Sequence, residues 1–150
     1  MRAARLAAVA VLPFLTACEA DFLGLGMRDF EGVYSYAGTV DEALGDVVVG
    51  GIVITRQRND HAEVTIDWSY LDEGEEVVSI ASEDPASAEL WADGRIRFDF
   101  EGDLLTNGRV VRFRLEHDGE LRAGTMTGYW RLTTGLPTDD SGTFTARRDR

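Results

Sequence analysis

Catalysis needs side chains that attack, move protons or hold metals, and this chain has few of them. It contains one cysteine, Cys18, and two histidines, His61 and His117. Each histidine lies beside an aspartate, Asp60 and Asp118. An imidazole next to a carboxylate can act as an acid–base pair or contribute to a metal site. Both pairs fall in segments that read as turns, and hairpin tips can lie far apart, so exposed turn polarity is the simpler reading. No serine sits in a Gly-x-Ser-x-Gly setting. Two acidic runs, Asp72-Glu73-Gly74-Glu75-Glu76 and Thr138-Asp139-Asp140-Ser141, could gather hard cations through carboxylate oxygens. Neither has the spacing of an EF-hand loop, and like-charge runs are usually solvated. Asp67 and Asp99 would suit glycoside hydrolysis only if the fold brought them together. No metal and no organic cofactor is expected from these residues.

The one reactive group with a clear assignment is Cys18. Met1-Arg2-Ala3-Ala4-Arg5 carries two positive charges, and Leu6 to Leu15 is an uncharged, mostly aliphatic stretch. That layout is a helical signal peptide over 1–17, too short to span a bilayer, which takes about 20 residues. Leu15-Thr16-Ala17-Cys18 resembles the lipobox of bacterial lipoproteins. The resemblance implies a thioether-linked diacylglyceryl group on Cys18, cleavage before it, and acylation of the new amino terminus, with palmitate the expected chain. As the sole cysteine, Cys18 cannot form an internal disulfide, and lipidation removes an otherwise exposed thiol. Several acyl chains hold durably where one binds only marginally. The expected location is the cell envelope, with the domain tethered to membrane lipid. In enteric bacteria an Asp after the lipidated Cys resembles an inner-membrane retention signal. Glu19 stands here instead, pointing to the outer membrane where the organism has one.

The chain has a formal net charge of −12, and because residues 1–17 contribute two arginines and no acid, the remainder carries −14. Every basic residue is Arg. Such acidity argues against nucleic acid, which requires a basic footprint. It argues equally against electrostatic docking on anionic lipid, and it suits a soluble monomer. The division is a signal peptide (1–17), a lipidated Cys with a short tether (18–28) and one domain (29–150).

Within that domain alternation dominates. Ile96, Phe98 and Phe100 face one way, with Arg95, Arg97, Asp99 and Glu101 facing the other. The segments around Val64–Tyr70, Val111–Glu116 and Thr143–Arg147 repeat the split, which is that of strands with a dry and a wet face. Asp93-Gly94, Asn107-Gly108 and Asp118-Gly119 are hairpin signals, because both turn positions favour φ > 0. Strands are expected near 30–38, 48–57, 62–71, 76–82, 86–92, 95–101, 109–116, 120–133 and 141–148. A helical turn is expected around Asp41–Leu44, and a bulge or bend at Gly50-Gly51. The fold class is all-β. It is a single antiparallel meander of eight or nine strands closed as a small barrel, or alternatively folded as a sandwich.

Gly32-Val33-Tyr34 is similar to the Gly-x-Trp of lipocalin-type barrels, with Tyr in place of Trp. That resemblance implies that Arg147 or Arg148, in the last strand, packs over the aromatic ring. No helix follows the final strand, where lipocalins carry one.

Trp68, Tyr70, Phe98, Phe100, Phe113, Trp130 and Phe144 share the inward face. They either line an apolar pocket or fill the core. An eight-stranded barrel is just wide enough for side chains or one small ligand, and bulky aromatics favour filling. If there is a pocket, Trp68, Tyr70, Phe98, Phe100, Phe113 and Trp130 are its candidate ligand-binding residues, at a barrel mouth. The leading expectation is therefore a non-enzymatic, membrane-anchored binding domain for an envelope protein or a small apolar molecule. A structural or assembly accessory is the alternative. A β-barrel enzyme ranks behind both, because no nucleophile–base or metal constellation is visible.

Overall fold

The computed structural model describes residues 28–41, 45–82, 84–106, 108–134 and 139–150. The expected signal peptide, Cys18 and the tether up to residue 27 lie outside the described residues, as do residues 42–44 of the expected helical turn.

Nine strands follow one another: β1 (Gly32–Thr39), β2 (Val47–Arg58), β3 (His61–Asp72), β4 (Glu75–Ala81), β5 (Ala86–Leu90), β6 (Arg95–Thr106), β7 (Arg109–Arg122), β8 (Thr125–Thr133) and β9 (Asp140–Arg148). All are paired antiparallel. The first and last strands join, from Tyr34↔Arg148 to Gly38↔Phe144, and β2 also pairs with β3. Eight strands thus close into a barrel, with β4 as an extra strand on β3. The closed ring excludes the sandwich.

Each strand buries alternate residues, as a pleated strand around a single core must. On β7, Phe113, Leu115, His117 and Leu121 point inward while Arg112, Arg114 and Asp118 stay outside. This differs from expectation. Asp118-Gly119 is not a hairpin; β7 runs through it, and Gly119 pairs with both Ile96 and Gly128. Gly119 is glycine because the Phe144 ring needs the space: a Cβ there would meet Phe144 Cζ at 3.0 Å. The turn comes instead at Ala123-Gly124, with φ of 50° and 77°, the positive pair that a two-residue hairpin loop requires. The bulge expected at Gly50-Gly51 is also elsewhere. The β2–β3 ladder runs unbroken through both glycines and shifts between Thr55 and Arg58, where Arg56 has φ of 53°.

A meander places its turns at two ends. The β2–β3, β5–β6 and β7–β8 turns and both described termini share one end; the β1–β2, β3–β4, β6–β7 and β8–β9 connections share the other. The first end is sealed. Phe30 is fully buried under it, its N–H donating to Gln57 Oε1 at 2.7 Å. Tyr34 Oη donates to the Phe30 carbonyl at 2.8 Å. Arg148, not Arg147, lies over the Tyr34 ring, 5.4 Å from its centroid, and donates to Tyr34 Oη from Nη2 at 2.9 Å and to the Asp29 carbonyl. Gly32 makes room for it, since a Cβ there would come within 3.1 Å of Arg148 Nε. Burial of Phe30 contributes roughly 1.5–3 kcal/mol.

The face assignment is testable. Phe98 is buried and Arg97 is exposed, ion-paired to Asp118 at 2.7 Å. Phe98→Ala should lower the unfolding free energy in urea by about 3–5 kcal/mol. Arg97→Ala should have a far smaller effect, because exposed ion pairs contribute little. Equal losses would mean that the two faces are exchanged.

Candidate functional site

The barrel axis is occupied by rings. Trp68 from β3 and Trp130 from β8 meet edge to face at 5.4 Å. Tyr36 from β1 stacks on Phe144 from β9 at 5.2 Å, and Phe98 from β6 stacks on His117 from β7 at 4.8 Å. His117 also meets the edges of Tyr36 and Phe144. Strand alternation delivers each ring to the same central layer, so the interior is filled by side chains. Trp68, Phe98 and Trp130 therefore belong to this filling. Tyr70 is half-buried at the open end, where its hydroxyl donates to Asp46 Oδ2 at 2.6 Å.

His117 is the largest departure from the sequence reading. It is 1% exposed, in the core and far from any turn. Burial pulls its pKa down from the usual 6.5 to about 3, so the ring is neutral in the native state. Nε2 and Tyr36 Oη are 3.2 Å apart and hydrogen-bonded, while Nδ1 has no partner. Trp68 Nε1 is likewise buried without a hydrogen-bond partner. Burial pushes the Tyr36 phenol up. His61 is far removed in character, exposed at the β2–β3 turn with Nδ1 2.8 Å from Asp60. The two histidines form no joint site. A turn signal at Asp118-Gly119 hid His117; the unbroken series Phe113, Leu115, His117, Gly119, Leu121 would have revealed it.

The wall is interrupted beside this core, between β4 and β6. β5 pairs with β6 only over Ala88–Leu90, so from Asp99 onward β6 pairs with β7 alone. The β3 ladder is interrupted between Ala81, which faces Asp67, and Ala86, which faces Val64. Ser82 stays attached, its Oγ accepting from Ile66 N–H at 2.8 Å and its N–H donating to the Ile66 carbonyl at 2.9 Å. Pro85, with no N–H to give, ends the detour. The result is a cleft of about 270 Å³ floored by Ile80, Phe100 and Phe113, with Ala81, Ser82 and Gly102 at its sides and Asp84, Glu101 and Asp103 around it. Of the six candidate ligand-binding residues, Phe100 and Phe113 line it and the other four do not. Nothing local in the sequence marks the cleft except Pro85.

Two solved structures share this fold. One is a redesigned beta barrel, mFAP1, bound to DFHBI: TM-score 0.50, 11% identity, covering 79% of this chain and 94% of that chain. The other is EF1p2_mFAP2b bound to DFHBI: TM-score 0.54, 8% identity, covering 79% and 93%. At such identities the likeness is one of fold. No protein-family model and no curated protein matches the chain.

The remaining polar groups serve the surface. A wider depression of about 530 Å³ lies along β6–β8, lined by the outward Arg97, Asp99, Arg114 and Asp118 and also by Phe98, His117 and Trp130; there Asp99 pairs with Arg114 at 3.2 Å and Arg97 with Asp118. Asp67 is exposed on β3, two strands away from Asp99 on β6, and the two are not brought together. At the open end, the Asp46 charge pushes the Asp72 carboxyl up, and burial followed by Asp46 does the same to Asp140. No group of three or more His, Cys, Asp or Glu side chains among the described residues is arranged to hold a metal ion.

Neutral His117 makes stability depend on pH. Unfolded, it takes a proton near pH 6.5; native, it resists protonation down to about 3. Its contribution is therefore intact above pH 6.5 and is lost as pH falls, by about 2 kcal/mol at pH 5 and at most about 5 by pH 3. Asp72 and Asp140, with raised pKa values, act oppositely and only in the carboxylate range. Urea midpoints at pH 7 and pH 5 should differ in the native sequence and converge in His117→Phe. An undiminished difference in that variant would place the titration elsewhere.

Proposed function

We propose that the chain is a lipid-anchored envelope protein whose barrel binds, without transforming, a small apolar or amphipathic molecule in the cleft between β4 and β6. The observation that carries this reading is the cleft itself. It is the place where buried aromatic rings, Phe100 and Phe113, are reached from outside through a gap in the strand ladder. Its floor is apolar, whereas the wider depression along β6–β8 is bordered mostly by charged side chains. A ligand there gains about 2.5 kcal/mol for each 100 Å² of apolar surface removed from water. A polar ligand would lose hydration to Ile80, Phe100 and Phe113, which offer no hydrogen bonds in return. The two barrels of similar fold were each solved bound to DFHBI, which supports a small-molecule role by analogy of fold.

One observation favours a second reading, an assembly accessory with a protein partner. β4 and the far half of β6 present unpaired edges to the same cleft, and an extended segment could add to either. Val77, Leu105 and Val110, on β4, β6 and β7, are all more than half exposed.

Titration of the protein with an apolar dye or a fatty acid separates the two. Saturable binding is expected, weakened at least tenfold by Ala81→Trp, which fills the cleft from an exposed position. Absence of saturation, or binding indifferent to Ala81→Trp, would leave the strand-edge reading. The anchor is tested separately: Cys18→Ser should leave an unprocessed precursor, and intact mass of the membrane-extracted protein should show acyl groups on a chain beginning at Cys18. A mature chain beginning elsewhere and lacking acyl mass would overturn it.

A further inference from the structure

The depression of about 530 Å³ along β6–β8 shares no lining residue with the cleft. That volume lies within the roughly 300–1,000 Å³ of small-molecule sites. Strand register builds it from two rows of outward side chains. One row runs Arg97, Asp118, Tyr129 across β6, β7 and β8. The next runs Asp99, Glu116, Arg131 and continues to Ser141 on β9. Ser141 and Gly142 are short, so the surface dips where β9 meets β8. Asp41 closes that side, its N–H donating to the Ser141 carbonyl at 2.7 Å and its Oδ2 accepting from the Ser141 hydroxyl at 3.1 Å. Phe98, His117 and Trp130, each 1% exposed, lie beneath.

We infer that this trough is a second binding site, for a neutral carbohydrate chain, with Tyr129 as its stacking platform. Three observations converge. The first is Tyr129 itself. It is 69% exposed and has no hydrogen bond, ion pair or ring contact with any described residue. Its ring is free to take the apolar C–H face of a sugar, while the hydroxyls at the sugar's rim stay within reach of polar groups. The second is the charge balance. Three arginines and four carboxylates line the trough, on a domain and tether that carry −14 in all. The trough thus offers little net field to an ion, but it sets donors beside acceptors. A hydroxyl is both, so it can bridge a guanidinium and its carboxylate. Arg97 donates from Nε at 3.1 Å and from Nη2 at 2.7 Å to the one oxygen Asp118 Oδ2. Arg97 Nη1 and Asp118 Oδ1 are left without a bond among the described residues. The third is preorganisation. The pairs Arg97–Asp118 and Asp99–Arg114 already hold these long side chains, so less side-chain freedom is lost when a ligand arrives. An apolar ligand would strip water from these groups and return no hydrogen bonds.

Affinity electrophoresis of the full chain tests this. Native gels are cast with a soluble neutral polysaccharide (dextran, β-glucan, galactomannan or glycol chitin) or with anionic polygalacturonate. Mobility is read against a gel without polysaccharide, so each variant is its own reference. Retardation is expected in at least one neutral gel and not in polygalacturonate. It should persist in high salt, because no net charge is being recognised. Tyr129→Ala should weaken it by roughly tenfold or more, through loss of the stacked ring and the area it covers. Tyr129→Phe keeps the ring and should bind as the native chain does. Because Tyr129 is exposed, both variants should keep a near-native urea midpoint, which separates binding from folding. Ala81→Trp fills the cleft and should leave retardation unchanged, so failure of the cleft reading and failure of this site give different results. Retardation in no neutral gel would overturn the inference. So would retardation that ignores Tyr129→Ala, is lost equally in Tyr129→Phe, or is abolished by Ala81→Trp or by salt.

Discussion

Room at the axis of an eight-stranded barrel is the constraint on which everything else in this molecule depends. That room holds side chains or one small ligand, and here six rings occupy it. The consequences run in both directions. Inward, the packing leaves glycine as the residue that fits at Gly119 beside Phe144, and it holds His117 neutral between Phe98 and Tyr36. Outward, it moves any binding from the centre to the wall, because a ligand at the axis would have to displace close-packed aromatics. The gap between β4 and β6 is then not an imperfection of the barrel but the place where its aromatic interior is reached from solvent.

The sealed end solves a second problem posed by the same closure. A barrel abolishes sheet edges along its wall but leaves two open rims. At one rim Phe30 plugs the bottom, and the Tyr34 hydroxyl donates to the Phe30 carbonyl while accepting from Arg148. The guanidinium spans ring and strap together, tying the first strand, the last strand and the entering chain into one knot of hydrogen bonds. An arginine suits this better than a lysine, because it can stack on the ring and still donate in two directions. At the other rim no such plug is seen among the described residues. Tyr70 and the carboxylates of Asp46, Asp72 and Asp140 meet there instead, where the Asp46 charge holds the Asp72 proton, and burial together with Asp46 holds the Asp140 proton, more tightly than usual.

Much of this was legible in the sequence because alternation is a local signal that reports directly on one-sided burial. Ile96, Phe98 and Phe100 could be assigned to the core from a seven-residue stretch alone, and the closed all-β meander follows from enough such stretches. Pairing the Gly-x-Tyr of the first strand with an arginine of the last was also within reach, although the choice between Arg147 and Arg148 depended on which face the final strand turned inward. Two things were not legible. Turn propensity at Asp118-Gly119 competed with the inward alternation of β7, and the wrong signal was weighted, which misplaced His117 on the surface. The cleft depends on β4 failing to pair with β6, two strands that are not neighbours in the chain, and non-local pairing leaves no periodic trace.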